Sequence, residues 1–283
     1  MISTIGIIGS GTMGSGIAQV CALAGFNVLL YDVSPDALQK GIQRIKDDLR
    51  RGVEKGRLSQ QQAEAALGAI HVHSSLNPLQ RSDFIIEAAL EDLETKRELF
   101  KRLDDVLPSH FIFATNTSSL SITSLAVATK RADRVVGIHF FNPAPVMKLV
   151  EVVRGKQTSE ETTTTSCDLA KKLGKVPVVC KDTPGFIVNR VARPFYGEAL
   201  RLLGEGVASV EEIDRIVRMS GGFKMGPFEL MDLIGVDVNY AVTKSVYEQY
   251  FHEPRFRPHP IQRQMVEAGA LGRKTKRGFY SYD

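Results

Sequence analysis

The sequence predicts an α/β fold, with a doubly wound, mostly parallel sheet followed by a second, all-helical domain. Three observations support this prediction. Short apolar runs alternate with helical segments over about the first 180 residues, a glycine-rich turn joins the first run to the first helix, and strand-like runs disappear after about residue 186. This alternation is typical of parallel sheets that are covered by helices.

Seven apolar runs predict the strands, because each is rich in Val, Ile or Phe and is bounded by Gly, Asp, Asn or Pro. They are residues 4–9, 26–32, 83–89, 111–116, 135–140, 148–153 and 175–180. Segments with apolar residues at helical spacing predict helices at 12–24, 35–55, 92–106 and 160–173. Pro184-Gly185 predicts a hinge. We therefore expect a sheet domain of residues 1–184 and a helical domain of residues 185–283.

The composition is typical of a soluble globular protein, since 43% of the 283 residues are hydrophobic and 24% are charged. Cys21, Cys167 and Cys180 lie far apart without a CxxC spacing, which argues against disulfides or a metal site and for a reducing compartment. No apolar run approaches the roughly 20 residues of a membrane span, and the N-terminus lacks the basic region of a secretory signal. We expect a cytoplasmic protein with no metal and no membrane partner.

The net charge of +4 would suit an anionic small molecule or a nucleic acid. Basic residues concentrate at 40–57 and 272–277. Neither segment has the interleaved aromatic residues of a single-strand-binding surface, so we expect no nucleic-acid partner. Two interpretations of these segments stay open: solvated helix faces, or docking of a phosphorylated ligand.

Gly9, Gly11 and Gly14 form a GxGxxG motif directly between the first strand and the first helix. Gly9 permits a tight turn, Gly11 lets the backbone approach a pyrophosphate, and Gly14 lets the helix pack closely on the strand. With Thr12 and Met13, this turn begins a helix whose unpaired N–H groups attract phosphate. The motif therefore predicts a dinucleotide site, and a glycine-rich turn in another kind of α/β protein is the alternative.

The second predicted strand ends at Asp32. A carboxylate at this position can accept hydrogen bonds from both ribose hydroxyls and would repel the 2′-phosphate of NADP. We therefore predict a Rossmann-type domain that binds NAD.

Polar side chains follow three of the predicted strands. They are residues 116–119 after one strand, His139 and Asn142 after another, and Glu87 and Glu91 after a third. In an open parallel sheet, ligands bind beyond these carboxyl ends. Oxidation of an alcohol by hydride transfer needs a base for the hydroxyl proton and donors for the developing carbonyl oxygen. Histidine suits the first role, and Ser or Asn suits the second.

The segment GIHFFNPAPVMKLVEVV, residues 137–153, places His139 at a strand end and Glu151 on the next apolar run. A Pro-containing connection could bring Glu151 back to His139, where a carboxylate would fix the tautomer of the ring and stabilise the imidazolium. The alternative is a purely structural histidine. The other five histidines lie in loop-like sequence and are expected to be solvated: His71, His73, His110, His252 and His259.

Seven segments spread over the whole chain add more specific motifs: IGIIGSGTMGSGIA, IIEAALEDLETK, FATNTSSLSIT, GIHFFNPAPVMKLVEVV, DTPGFIVNR, MGPFELMDLIGVDV and GFYSY. In combination they resemble the short-chain L-3-hydroxyacyl-CoA dehydrogenase family, most closely its bacterial 3-hydroxybutyryl-CoA dehydrogenases. The resemblance implies an NAD-dependent oxidoreductase that interconverts short-chain (S)-3-hydroxyacyl-CoA, such as 3-hydroxybutyryl-CoA, and 3-oxoacyl-CoA, such as acetoacetyl-CoA.

The resemblance also implies residue roles. His139 would be the general acid/base, Glu151 its orienting partner, and Ser118 and Asn189 would bind the reacting oxygen of the substrate. Besides the glycine turn, NAD would contact Asp32, Glu91, Lys96, Asn116, Ser118, Asn142 and Lys274.

Two of these predicted NAD contacts, Glu91 and Lys96, have an alternative explanation, because acids and lysines at a helix start often serve capping and i,i+4 pairing. The anionic end of coenzyme A would meet Arg51 and Lys55 in the basic segment 40–57. The helical domain would complete the substrate cleft and form a homodimer.

The sequence departs from the family pattern at Lys276, where Gly is usual, so the turn that carries Lys274 is open to remodelling. Lys224 stands where Pro is common, and Arg51 where Lys is common. Two other functions stay open: a related 3-hydroxyacid or L-gulonate-type dehydrogenase without a CoA substrate, and an NAD-binding protein without activity.

Overall fold

The computed structural model describes residues 2–283, and their strands form one eight-stranded sheet of order β3-β2-β1-β4-β5-β6-β7-β8. Every neighbouring pair is parallel except β6 and β7, which are antiparallel. This arrangement confirms the predicted fold class, a doubly wound and mostly parallel sheet. The strands are β1 (Thr4–Ile8), β2 (Asn27–Tyr31), β3 (Ile70–His73), β4 (Phe84–Glu87), β5 (Phe113–Thr115), β6 (Val135–Phe140), β7 (Leu149–Arg154) and β8 (Val176–Lys181).

Helices connect these strands and begin at capping side chains. Ser34, Asp92 and Ser159 each accept a hydrogen bond from a backbone N–H in the first turn that follows them. The sequence predicts the four longest of these helices to within two residues. The helices of this part are α1 (Thr12–Leu23), α2 (Pro35–Glu54), α3 (Gln60–Gly68), α4 (Leu93–Val106), α5 (Ile122–Ala126) and α6 (Glu160–Lys172).

The strand β3 was not predicted, because Ile70 is its only buried residue. The expectation that His71 and His73 lie in loops is therefore wrong. Both belong to β3, which forms one edge of the sheet beside β2. The ring atom Nε2 of His73 is buried and has no hydrogen-bond partner among residues 2–283.

The core of the sheet explains why the apolar runs are continuous. Ile5 and Ile7 of β1 and Val28 and Leu30 of β2 are fully buried in one cluster with Ile17 of α1. Parallel strands covered by helices expose little surface, so they need apolar residues along most of their length.

The chain divides into two compact units between Thr183 and Pro184. The second unit consists of helices and of loops that carry only isolated β-bridges, as the loss of strand-like runs predicted. Nowhere in residues 2–283 does a helix combine the length and the apolar character that a bilayer span requires. The helices of the second unit are α7 (Val188–Gly204), α8 (Val210–Gly221), α9 (Pro227–Ile234), α10 (Val236–Gln249) and α11 (Pro260–Glu267).

Two buried carboxylates organise the second unit. Asp214 accepts hydrogen bonds from the N–H groups of Phe228 and Glu229 at the start of α9. Asp232 accepts from the N–H groups of Phe279 and Tyr280 near the C-terminus. These bonds satisfy backbone donors in buried or partly buried positions, including the N–H of Phe228 in the first turn of α9.

Candidate active site

In the glycine turn after β1, two glycines are packed against neighbouring backbone and the third is open to solvent. Gly9 has φ +96°, and a Cβ there would lie 2.5 Å from the carbonyl oxygen of Ala88. A Cβ at Gly14 would lie 1.8 Å from the oxygen of Gly9, so only glycine permits this contact between helix and turn. A Cβ at Gly11 would meet no atom within 4 Å. The backbone at Gly11 is therefore accessible to a ligand.

The first turn of α1 begins at Thr12 and Met13, and within residues 2–283 no side chain caps it. The N–H groups and the positive end of the helix dipole at such a terminus favour a phosphate. The open backbone at Gly11 and the uncapped helix thus fit the pyrophosphate of a dinucleotide.

Asp32 follows β2 directly and is fixed beside the glycine turn. Its Oδ2 accepts from the N–H of Ser10 at 2.8 Å and from the hydroxyl of Ser10 at 2.9 Å, and its Oδ1 accepts from the N–H of Ser34 at 3.0 Å. A carboxylate held in this place fits the ribose of NAD and opposes a 2′-phosphate. Sequence reasoning missed Arg44 of α2, which donates to the hydroxyl of Ser15 in α1 at 3.0 Å.

His139 and Glu151 form a buried hydrogen-bonded pair. They lie directly opposite each other in the antiparallel pairing of β6 and β7, so their side chains project from the same face. Nδ1 of His139 is 2.8 Å from Oε2 of Glu151, and the two residues are 6% and 1% exposed. The ring of Phe141 lies beside the imidazole, with centroids 4.5 Å apart. The structure thus contains the contact that the sequence suggested.

Two asparagines lie near this pair in the fold. Asn116 follows β5, and its Oδ1 accepts from the N–H of Phe140 at 2.8 Å, which ties the end of β5 to the end of β6. Asn142 is exposed in the connection between β6 and β7. Both therefore lie at the carboxyl end of β6, where His139 is also found.

Ser118 lies in a loop that Glu91 organises. Oε1 of Glu91 accepts from the hydroxyl of Thr117 at 2.6 Å and from the N–H of Ser118 at 2.9 Å. Its other oxygen lies 3.5 Å from Nζ of Lys96. The loop after β5 and the start of α4 are thereby joined through carboxylate hydrogen bonds.

Lys96 is buried and pairs with a residue that the sequence did not single out as its partner. Its Nζ is 2.5 Å from Oε1 of Glu87, and both side chains are at most 1% exposed. The residue that caps α4 is Asp92. The helix-capping and i,i+4 explanation of Glu91 and Lys96 is therefore wrong, because their contacts reach β4 and the Ser118 loop.

Two predicted site residues belong to the second unit. Asn189 lies in the first turn of α7, and its carbonyl oxygen accepts from Nε of Arg193 at 3.0 Å. Lys274 donates to both carboxylate oxygens of Asp237, at 2.6 and 2.7 Å.

The two predicted coenzyme A contacts lie at the end of α2. Arg51, in its last turn, forms an ion pair with Asp48. Lys55 is exposed and forms the C-cap, since α2 ends at Glu54 rather than continuing through the basic segment. In this structure the helix therefore balances part of its own positive charge.

Sequence reasoning also missed Asp182, which precedes the hinge. Its carboxylate accepts from the hydroxyl of Ser121 and from the N–H groups of Ile122 and Thr123, at 2.8 to 3.1 Å. These bonds hold the start of α5, directly after the Ser118 loop. The only sequence signal for this role is an acid in the motif DTPGF.

Comparisons with known proteins cover the whole chain. The model of the 3-hydroxyacyl-CoA dehydrogenase NAD binding domain matches residues 4–183, and that of the 3-hydroxyacyl-CoA dehydrogenase C-terminal domain matches residues 185–282. The first match confirms the predicted cofactor, NAD.

Individual relatives agree. A 3-hydroxyadipyl-CoA dehydrogenase of Escherichia coli K12 is 49% identical over 99% of this chain, which spans only 59% of that relative. A probable 3-hydroxybutyryl-CoA dehydrogenase of Bacillus subtilis is 44% identical, covering 100% of this chain and 98% of the relative. The crystal structure of an (S)-3-hydroxybutyryl-CoA dehydrogenase of Ralstonia eutropha is 46% identical, covers both chains fully and superposes with a TM-score of 0.95.

All three names specify a CoA substrate, so the comparisons do not favour the alternative of a dehydrogenase without one. Matches to both family models, which together span residues 4–183 and 185–282, and an identity of 44% over the whole chain agree with the motifs found in the sequence. The chain belongs to the 3-hydroxyacyl-CoA dehydrogenase family.

Proposed function

We propose that the chain is an NAD-dependent dehydrogenase that interconverts (S)-3-hydroxyacyl-CoA and 3-oxoacyl-CoA, with short acyl groups such as 3-hydroxybutyryl and acetoacetyl. The observation that carries the proposal is the buried pair of His139 and Glu151. It lies at the carboxyl ends of the parallel strands, as the glycine turn does. Bound NAD supplies the hydride acceptor for C3 of the substrate, and NADH the donor.

His139 acts as the general acid/base. It takes the proton of the C3 hydroxyl during oxidation and returns it during reduction. With Glu151 accepting a hydrogen bond from Nδ1–H, the proton is exchanged at Nε2, and the carboxylate stabilises the imidazolium that forms.

Ser118 and Asn189 donate hydrogen bonds to the reacting oxygen, where charge develops in the transition state. The bond from the N–H of Ser118 to Glu91 supports this role, because it fixes the loop that presents the hydroxyl. The cofactor is held by the glycine turn, including Gly9, Gly11, Thr12, Met13 and Gly14, and by Asp32, Glu91, Lys96, Asn116, Ser118, Asn142 and Lys274.

Arg51 and Lys55 meet the phosphates of coenzyme A, with Ser118 and Asn189 on the acyl side. Their exposure at the end of α2 supports this assignment, and the pairing of Arg51 with Asp48 means that the ligand competes for Arg51. Residues 1–184 thus form the NAD domain, and residues 185–283 contribute to substrate binding.

The chain forms a homodimer through its helical unit and functions in the cytoplasm. Large apolar side chains exposed on the helical unit support the dimer, among them Met219, Phe223 and Phe251, which are 79%, 53% and 93% exposed. The free cysteines support a reducing compartment.

A steady-state assay tests the reaction. Purified protein should oxidise NADH with acetoacetyl-CoA, should prefer NADH to NADPH, and should be inactive with L-gulonate and NAD. Longer 3-oxoacyl-CoAs and 3-oxoadipyl-CoA define the acyl preference. Turnover of L-gulonate without turnover of acetoacetyl-CoA would overturn the proposal.

The variant His139→Ala tests the mechanism. It should lower kcat by at least about 10²-fold, the usual effect of removing a positioned acid/base. The matched control is His110→Ala, because His110 is exposed in a turn and should leave kcat unchanged. A His139→Ala enzyme with near wild-type kcat would remove His139 from the mechanism.

A further inference from the structure

Lys175 is a buried cation whose hydrogen-bond partners are uncharged. It lies between α6 and β8, is 8% exposed, and donates from Nζ to the carbonyl oxygens of Ala144 at 2.6 Å and Met147 at 2.9 Å. Among residues 2–283, no carboxylate pairs with it, and burial lowers the pKa of Lys175. A buried charge without a counter-ion is costly in free energy, so its presence calls for a physical reason.

The two carbonyl groups belong to the connection between β6 and β7. This connection, residues 141–148, joins the strand of His139 to the strand of Glu151. It folds back on itself, because the N–H groups of Val146 and Met147 both donate to the carbonyl oxygen of Pro143. Lys175 therefore bonds the middle of the segment that separates the two members of the buried pair.

A second contact holds the same connection from α1. A Cβ added at Gly16 would lie 3.3 Å from Cβ of Ala144, so helix and connection are packed closely. The backbone of Lys175 is itself fixed, since its N–H donates to the carbonyl oxygen of Ala170 at 2.9 Å. The N–H of Val176 donates to the carbonyl oxygen of Lys148 at 2.8 Å, where the β7–β8 pairing begins. The backbone of Lys175 is thus held by α6, and that of the next residue by the start of β7.

We propose that Lys175 is a positioning residue that keeps the His139 imidazole and the Glu151 carboxylate in contact by clamping the connection between their strands. The proposal deepens the proposed function and rests on it for the activity measurement. Lys175 acts through the backbone of the connection, to which its Nζ donates both hydrogen bonds. Displacement of a catalytic group by about 1 Å lowers rates by about 10²-fold.

The variant Lys175→Met tests the clamp, because methionine fills similar space without a charge or a donor. It should lower kcat by about 10-fold or more, with the KM for acetoacetyl-CoA changed less than about 3-fold. The melting temperature should stay the same or rise, because an apolar side chain replaces a buried charge. Lys175→Arg should recover part of kcat. The matched control is Lys172→Met, at the exposed end of α6, which should behave as wild type.

A double-mutant cycle separates positioning from general stability. If Lys175 acts through the pair, Lys175→Met should change kcat less than about 2-fold in a Glu151→Gln background, since the contact that it protects is already impaired. The proposal is overturned if Lys175→Met has the same fold effect in both backgrounds. It is equally overturned if the melting temperature and kcat of Lys175→Met fall together.

A spectroscopic measurement keeps this test independent of the proposed reaction. In the ligand-free enzyme, NMR of 15N-labelled histidine should detect the Nδ1 proton of His139 that Glu151 holds. Its resonance should shift or broaden in Lys175→Met and stay unchanged in Lys172→Met. An unchanged resonance in Lys175→Met contradicts the clamp. Failure of the wild-type enzyme to reduce acetoacetyl-CoA would contradict the proposed function alone.

Discussion

Two buried pairs of side chains near the carboxyl ends of the parallel strands differ in how they are formed. His139 and Glu151 lie directly opposite each other on neighbouring antiparallel strands. Lys96 and Glu87 join a helix to a strand, and Glu87 also accepts from a backbone N–H and from the hydroxyl of Thr115. A histidine exchanges its proton easily near neutral pH, whereas a buried ammonium–carboxylate pair is suited to fixing structure. Under the proposed function the first pair takes part in the reaction, whereas the second fixes the structure around it.

The largest expected effect is on stability, from Lys96→Met. This change leaves Glu87 buried without its cation, and it should lower the free energy of unfolding by about 3–5 kcal/mol. Urea titration followed by far-UV circular dichroism measures it, with Lys101→Met on the exposed face of α4 as the control.

The double variant Glu87→Leu/Lys96→Met should recover at least about half of that loss, because no isolated charge remains. A single variant Lys96→Met that stays within about 1 kcal/mol of wild type would show that the pair does not fix the structure.

Glu151→Gln should lower activity and leave stability nearly unchanged, in contrast to Lys96→Met. The amide still fits beside His139 but cannot stabilise the imidazolium, so kcat should fall by about 10² to 10⁴-fold. The free energy of unfolding should change by less than about 1 kcal/mol, because the side chain keeps a hydrogen bond. Steady-state kinetics measures the change in kcat, and urea titration of the same preparations measures the change in unfolding free energy. A variant that loses stability and retains its kcat would reverse the roles assigned to the two pairs.

Whether a pair can be predicted from the sequence depends on where its two residues lie in the chain. Both residues of the His139–Glu151 pair sit in one motif, on consecutive strands, so an antiparallel return brings them together. Glu87 and Lys96 lie on consecutive elements as well, yet the place of Lys96 near the start of α4 left capping and i,i+4 pairing as an explanation. Only the buried contact of Lys96 with Glu87 shows that Lys96 points inward. Strand β3 was missed for a related reason, since one buried residue leaves no apolar run.

The backbone conformation at Lys276 also could not be predicted from the sequence. The resemblance places Lys276 where glycine is usual, and its φ of +58° is the left-handed conformation that glycine adopts without cost. The turn therefore keeps a glycine-like backbone although a lysine occupies it. No pattern in the sequence indicates whether such a residue reshapes a turn or accepts the strain.

The smallest expected effect concerns a third pair, Lys274 and Asp237, whose side chains are 45% and 35% exposed. Burial alone would raise the pKa of Asp237, but hydrogen bonds, above all that from Lys274, lower it. A carboxyl group with a lowered pKa stabilises the fold above its ordinary pKa, and this contribution is lost as the pH falls through the folded value. Because water screens exposed charges, Lys274→Met should cost less than about 1 kcal/mol.

Urea titrations of wild type and Lys274→Met across pH test this pair. The difference in unfolding free energy should be constant from about pH 8 to about pH 5, and it should close only below about pH 4, where unfolded aspartate takes up its proton. It should also shrink at high salt. A difference above about 2 kcal/mol would mean that exposure does not set the strength of these pairs. Closure near pH 6 would identify a histidine in place of Asp237 as the titrating group.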